Sequence, residues 1–449
     1  MIGCAMGGIP MNIGIEGVKS LAGPIYNVLL GVNPALIGSM LMIARLWDAV
    51  CDVIMGSISD NTRTRWGRRR PFIFVGAILG AICYPLIWFV PQSFSHEAAA
   101  VYFLCSVLLF YSVFTIFYVP FFTLTLELTP NYSQRTKVSG TLLLFGAIAT
   151  LAITWAFRAA QSDIFPNAFI GIRTVGIVFG AAFLIFGLMP AIFGRERFQA
   201  QIANQPKQKI LTNLKVALGA KPFRILMGMT VLIILGVMSF NSLGLYVNIY
   251  YVFGGDTKLA ATLAGMTGTI NFALAWVFVP LITKFAKKWG KERVLSLCLI
   301  AGICTGLTKW LLYTPAHPYL QLFDPIISIL PNFGFWVLVN AMKADICDWD
   351  ELQSGMRREG AFASASTWLQ KFSSALTFSL TGLFLVLIGF QQSLGGHQPP
   401  ETISALRLGF ILSPVIVYSL ALLILRTYPL TPARMGEIRA TLEARRGQI

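Results

Sequence analysis

Long apolar runs separated by short polar stretches dominate the chain. Runs of about 20 apolar residues are what a helix needs to cross the hydrocarbon core of a bilayer. They begin near Met6, Ala35, Pro71, Ala99, Val138 and Ile170, then resume near Pro222, Ala260, Arg293, Leu322, Gly360 and Ala405. These lengths fit helices and exceed the strands of a membrane β-barrel. The pattern predicts an all-α membrane protein with twelve transmembrane helices in two six-helix halves. The first run carries Glu16 and Lys19 and continues into the array, so it is not expected to be a cleavable signal peptide.

The polar connections alternate in charge. Basic residues gather after the second run (Arg63, Arg65, Arg68, Arg69, Arg70), the fourth (Arg135, Lys137) and the sixth (Arg195, Arg197, Lys207, Lys209, Lys215, Lys221). They gather again after the eighth (Lys284, Lys287, Lys288, Lys291), after the tenth (Lys343, Arg357, Arg358) and in the tail (Arg434, Arg439, Arg445, Arg446). The other connections are nearly bare of them, Arg158, Arg173 and Lys258 being the main exceptions. The positive-inside rule then puts both termini in the cytoplasm, in agreement with an even number of spans. The predicted organisation is an N-terminal bundle over 1–193, a cytoplasmic linker over 194–221, a C-terminal bundle over 222–428 and a cytoplasmic tail over 429–449. Each half has a basic, Gly-containing connection after its second helix, Trp66-Gly67-Arg68 in one and Trp289-Gly290-Lys291 in the other. Such an internal echo marks a duplicated transporter, whose substrate site is expected between the halves near mid-membrane.

Composition narrows the function classes. Of 449 residues, 56% are hydrophobic and 12% charged, whereas soluble domains carry about 25% charged residues. The net charge of +16 does not predict nucleic-acid binding, because the basic residues sit in alternate connections rather than on one face. Cys4, Cys51, Cys83, Cys105, Cys298, Cys304 and Cys347 are scattered, with no paired spacing for a disulfide framework or a metal. His96, His317 and His397 fall in polar connections, which argues against a histidine proton relay within the membrane. No nucleophile–base set appears, so an enzyme is not expected.

Charges inside the runs carry the chemistry. Asp48 and Asp52 are four apart in the second run and share one helix face. A carboxylate in hydrocarbon costs at least ~2.5 kcal/mol and faces a cavity or a partner. Two stacked carboxylates favour a cation between them, so the pair reads as a trap for H⁺ or Na⁺. The alternative is a structural ion pair with Arg45. Lys371 lies well inside the eleventh run and needs an anion, for which the acidic pair is a candidate across the halves; otherwise it snorkels to the interface. Glu16 and Lys19, three apart, pair with each other or face a cavity. Glu127 ends the fourth run as an interfacial group. Asn12, Asn27, Trp47, Tyr118, Asn241, Tyr246, Asn248 and Trp368 are candidates to line a polar cavity, each with helix packing or the aromatic belt as the plainer role.

These residues carry a resemblance. The stretch from Ala44 through Arg45, Trp47, Asp48, Cys51 and Asp52 to Gly56, then Asp60-Asn61-Thr62-Arg63 and Trp66-Gly67-Arg68, resembles the glycoside–pentoside–hexuronide:cation symporters of the major facilitator superfamily. Ala344-Asp345, Asp348, Asp350-Glu351-Leu352, Gly355, Arg357-Arg358-Glu359-Gly360 and Gln370-Lys371 match further along, as do Val119-Pro120-Phe121. The resemblance covers nearly the whole chain. It implies the major facilitator fold, a cation site at Asp48, Asp52 and Thr115, and a coupled lysine at Lys371. Cys51 stands where the family has an Asn that helps to bind the cation; losing an oxygen disfavours Na⁺ and tilts the expectation towards H⁺. Asn12 and Tyr118 stand where the family has sugar-binding aspartates, and Leu143 where it has an arginine. Charge-assisted bonds are the stronger kind, so the coupling groups are kept while the galactoside pocket is altered. Gly67-Arg-Arg-Arg-Pro71 is also similar to the proton-coupled sucrose transporters.

The expected function is cation-coupled symport of a glycoside or other sugar by alternating access, with no cofactor beyond the coupling ion. Expected substrate contacts are Asn12, Glu16, Trp47, Tyr118, Asn248 and Trp368, and Arg45 joins Lys371 in coupling. If Na⁺ is the ion, Asp48 and Asp52 hold it. Expected partners are a small-molecule substrate and the bilayer of the plasma (inner) membrane, with no nucleic acid and a monomeric chain. The rivals are a symporter of lysolipids or other amphiphiles and a non-transporting membrane sensor.

Overall fold

The structure is a computed structural model describing residues 2–127, 132–194, 215, 217–355 and 358–446; at 60, 126–127, 132–139, 359–360, 393, 439 and 443–446 only the backbone is described. Arg195, Arg197, Lys207, Lys209 and Arg357, and the side chains of Glu127, Arg135 and Lys137, lie outside the described residues.

The first half contributes α1 (2–29), α2 (Pro34–Asn61), α3 (Arg70–Leu86), α4 (His96–Glu127), α5 (Tyr132–Ala160) and α6 (Ala168–Phe193). The second contributes α7 (Lys221–Val252), α8 (Thr257–Trp289), α9 (Lys291–Leu312), α10 (Pro318–Ser354), α11 (Glu359–Leu387) and α12 (Pro400–Leu425), followed by α13 (Pro432–Arg446). Nine of these are, among the described residues, long and apolar enough to cross a membrane, and α3 is a shorter apolar helix. Each of the twelve begins one to six residues before the apolar run that predicts it. Polar caps and first-turn prolines start helices without registering as hydrophobic. Asn33 shows this: its side chain accepts from the Ala35 N–H at 2.8 Å, with Pro34 opening α2. Asp256 caps α8 in the same way, accepting from Leu259 at 3.0 Å.

Among the described residues three helices widen into π turns, α1 at Ile13–Gly17 and Gly23–Leu29, α7 at Ile234–Met238 and Val247–Val252, and α10 at Leu330–Gly334. Wide turns concentrate at functional sites because they release backbone groups from the regular ladder. α1 and α7 open the two halves, so this irregularity repeats along with the motif echo.

The described chain forms two compact units, one of Met1–Gln205 with Thr381–Gly395, the other of Pro206–Leu380 with Gly396–Ile449. In the first, α3 packs against α4 and α6, α2 against α4, and α1 against α5. The end of α11 and the connection after it also belong to this unit, and in that connection the Gln392 amide donates to the Val28 carbonyl at 2.7 Å. Phe117 and Phe183 meet edge to face at 5.3 Å in its core. Small residues let helix backbones approach closely where lipid supplies no hydrophobic drive. A Cβ on Gly76 of α3 would fall 2.5 Å from the Phe117 backbone nitrogen, whereas one on Gly228 would meet nothing within 4 Å. Gly76→Val is therefore expected to cost about 1–3 kcal/mol by overpacking, seen as a lower melting temperature in detergent. Gly228→Val should move it by no more than about 0.5 kcal/mol.

In the second unit α9 packs on α12, and the amphipathic α13 lays Met435, Ile438 and Leu442 into the same core as Leu338 and Val339 of α10. Gly355, at φ +68°, ends α10 and lets the chain turn back so that Arg358 reaches Asp350. There the Arg358 Nε and Nη2 donate to the two Asp350 carboxylate oxygens at 2.8 and 2.5 Å. This fork holds the Arg358 guanidinium even more firmly protonated than usual, chiefly through the hydrogen bond to Asp350. Lys291 contacts both oxygens of the buried Asp345 at 2.7 Å and donates to the Ala341 carbonyl at 3.0 Å.

Candidate functional site

Asp48 and Asp52 converge on one hydroxyl. Their helix, α2, is long enough to bring both onto the face turned to α4. Thr115 of α4 lies 3.3 Å from Asp48 Oδ1 and 3.4 Å from Asp52 Oδ1 through its Oγ1. Asp48 is 4% exposed and Thr115 1%, while Asp52 is half-buried. The threonine thus marks a point shared by two carboxylates, one sealed in the helix interface and one reachable from outside it.

Arg45, one turn before Asp48, completes the cluster. Its Nη1 is 3.6 Å from Asp48 Oδ2, its Nη2 donates to the Ile15 carbonyl at 2.5 Å, and its guanidinium lies 4.8 Å above the Tyr111 ring. Ile15 belongs to the first π turn of α1, so the wide turn supplies the arginine's acceptor. The ion pair considered in the sequence is therefore formed by Asp48, on its oxygen away from Thr115.

The neighbours hold this geometry. Trp47 Nε1 donates to Ser112 Oγ at 2.7 Å, and Ser112 donates back to the Leu108 carbonyl at 2.8 Å, clasping α2 to α4 one turn from Thr115. Cys51 is half-buried on the same stretch of α2. Thr115 and Cys51 are the residues of this cluster that only the resemblance indicates. A threonine in an apolar helix normally bonds its own preceding turn and gives no signal by itself. A hydrogen bond to a charged group contributes about 1.5–3 kcal/mol. Thr115→Ala should accordingly change apparent cation affinity roughly tenfold or more, weakening it for Na⁺, which loses an oxygen ligand, and strengthening it for H⁺, because a donated hydrogen bond favours the charged carboxylate, with Thr115→Ser near wild type, read from cation titrations of uptake.

The expected substrate residues fall into two groups. In the first unit, Glu16 is paired with Lys19 at 2.5 Å. The Asn12 amide donates to the Gly8 carbonyl at 3.0 Å and accepts from Thr150 at 3.4 Å, so its polar groups serve the packing of α1 on α5. Tyr118 is half-buried in a ladder along α4, stacked on Phe114 at 5.4 Å and on Phe122 at 5.9 Å. Leu143 is 69% exposed. In the second unit, Asn248 is buried in a π turn of α7, and its Oδ1 has no hydrogen-bond partner among the described residues. Trp368 of α11 is exposed and stacks on Phe372 at 5.5 Å, and Lys371, one turn on, is half-buried.

The second unit also buries two charges that hydropathy alone does not reveal, Lys309 near the end of α9 and Asp324 near the start of α10. Both lie beside predicted span ends, where a charge normally meets water.

Comparison with known proteins agrees with this architecture. The putative glycoside/cation symporter YagG of Escherichia coli is 24% identical across 98% of this chain and 94% of its own length. The sodium-dependent lysophosphatidylcholine symporter 1-A of Danio rerio is 21% identical across 96% of this chain and 85% of its own. A crystal structure of the nucleoside transporter NupG superposes with a TM-score of 0.65 at 13% identity, covering 95% of this chain and 99% of that one, a likeness of fold. The family described as MFS/sugar transport protein matches residues 3–432, and the chain is a member of that family of membrane transporters.

Proposed function

We propose that this protein is a symporter that moves a glycoside or other sugar by alternating access, driven by H⁺ or Na⁺ bound at Asp48 and Asp52. The observation that carries the reading is the Thr115 hydroxyl shared by the two carboxylates at 3.3 and 3.4 Å. Buried like charges are costly unless something positive joins them. Arg45 pairs with Asp48 at 3.6 Å, and the coupling ion binds at the hydroxyl that the two carboxylates share. Lys371 is the coupling residue, its ammonium responding to whether the carboxylates carry a cation. Both termini are cytoplasmic, the membrane is the plasma (inner) membrane and the working unit is a monomer.

The likeness to a glycoside/cation symporter supports a sugar as cargo. The aromatic ladder Phe114–Tyr118–Phe122 and the exposed Leu143 favour an amphiphile as the second reading. Cys51 supports H⁺ over Na⁺, since thiol sulfur is a poor ligand for a hard ion. Cys51→Asn should then raise the Na⁺ dependence of uptake, measured as stimulation by an imposed Na⁺ gradient relative to a K⁺ control.

The test is uptake by proteoliposomes of a panel of glycosides and lysophospholipids under imposed H⁺ or Na⁺ gradients. Concentrative uptake of a glycoside under one gradient is the expected result. Lysophospholipid transport with no glycoside transport under either gradient overturns the sugar assignment.

A further inference from the structure

The second unit holds a polar, partly open cavity that the proposed coupling does not use. Its volume is about 170 Å³, between α7, α8, α9, α10 and α12. Lys309 and Asp324 face it and are 4% and 8% exposed. The ammonium donates to Asn241 Oδ1 at 3.1 Å and sits 3.8 Å from the centroid of the Phe410 ring, which forms one wall. Lys309 and Asp324 act on each other electrostatically, yet among the described residues they form no direct ion pair. Asp324 Oδ1, Ser328 Oγ and Asn271 Oδ1 are buried, line the same cavity and have no hydrogen-bond partner among the described residues.

A structural ion pair closes on itself, because only short contacts offset the loss of hydration. Here the two charges stand apart with a chamber between them, and the oxygens around it are acceptors awaiting donors. The charges already balance, so a charged guest would bring an uncompensated buried charge. Hydroxyl groups fit better. Each can donate to Asp324 or Asn271 and accept from Lys309 or Ser328, and they add no charge. The volume slightly exceeds the about 150 Å³ of a cavity that accommodates a benzene ring, which suits one six-membered ring and excludes a disaccharide.

We propose that this cavity is a binding site for a neutral, monosaccharide-sized polyol, separate from the carboxylate cluster of α2. The inference stands on the second unit alone and does not depend on the coupling mechanism.

The experiment is isothermal titration of the full-length protein in lipid nanodiscs with glucose, xylose, myo-inositol, maltose and glycine. At least one of the three single-ring polyols should bind, while maltose and glycine do not bind at this site. Asp324→Asn should weaken that binding tenfold or more, and Ser328→Ala about threefold. Ser328→Ala carries the test if Asp324→Asn does not fold. The proposal is overturned if no single-ring polyol binds the wild-type protein, or if binding is indifferent to Ser328→Ala and to a folded Asp324→Asn. It is equally overturned if glycine competes for the site.

Discussion

Asp52→Asn should abolish concentrative uptake while leaving exchange of substrate across the membrane measurable. One charge falling through 100 mV supplies about 2.3 kcal/mol, roughly fifty-fold accumulation at tenfold per 1.4 kcal/mol. Asparagine keeps the shape and can still bond Thr115, but it can neither bind a proton nor offer a full charge to Na⁺. The expected ratio of internal to external substrate therefore falls from tens to about one. Asp48→Asn should have the same effect on accumulation with an added cost in stability. Asp48 is the more buried of the two and also pairs with Arg45 at 3.6 Å, so its loss leaves the guanidinium less compensated. The two variants thus separate coupling from folding: both lose accumulation, and only Asp48→Asn should melt markedly earlier in detergent. A concentrative Asp52→Asn protein would remove the cation site from this carboxylate.

The second large effect is on stability. Arg358→Ala leaves the Asp350 carboxylate, 5% exposed, without its two-pronged partner. The Asp350 end is buried while the Arg358 side chain is 27% exposed, so the loss is expected at the about 1.5–3 kcal/mol of hydrogen bonds to a charged group, enough to lower the yield of folded protein. Arg358→Lys should recover only part of it, because a single ammonium cannot reproduce both bonds of the planar fork. The double variant Arg358→Met with Asp350→Leu should be more stable than Arg358→Ala alone, since it removes the orphaned charge. Fluorescence-detected size exclusion after graded heating reads all three. An Arg358→Ala protein as stable as wild type would mean that Asp350 finds other compensation.

The same physics decides what was legible before folding. Spans were readable because twenty apolar residues have no other stable use, and Asp48, Asp52 and Lys371 stood out because charge is rare in such runs. Their starts ran late because caps such as Asn33 and Asp256 are polar. The π turns left only weak marks, clusters of Gly and Pro such as Gly23-Pro24 and Pro331 with Gly334. Arg45 was legible as a partner for Asp48, but its bond to the Ile15 carbonyl exists only once α1 widens beside α2. Lys309 and Asp324 escaped notice because each sits near a predicted span end. Only the packing of α9, α10 and α12 turns two apparent boundary residues into buried neighbours of one cavity. The tail helix α13 was likewise hidden, its three buried apolar residues spread among arginines.

Linkage gives the most direct test of the carboxylate pair. If a cation and the substrate stabilise the same loaded state, each must raise the other's affinity by the same factor. Once uptake screening has supplied a transported substrate, its dissociation constant is measured on purified protein across a series of Na⁺ concentrations and pH values. Affinity should rise with Na⁺ or with falling pH in the wild-type protein and stay flat in Asp52→Asn. Cation dependence that survives unchanged in both Asp48→Asn and Asp52→Asn would contradict the assignment of the coupling ion to this site.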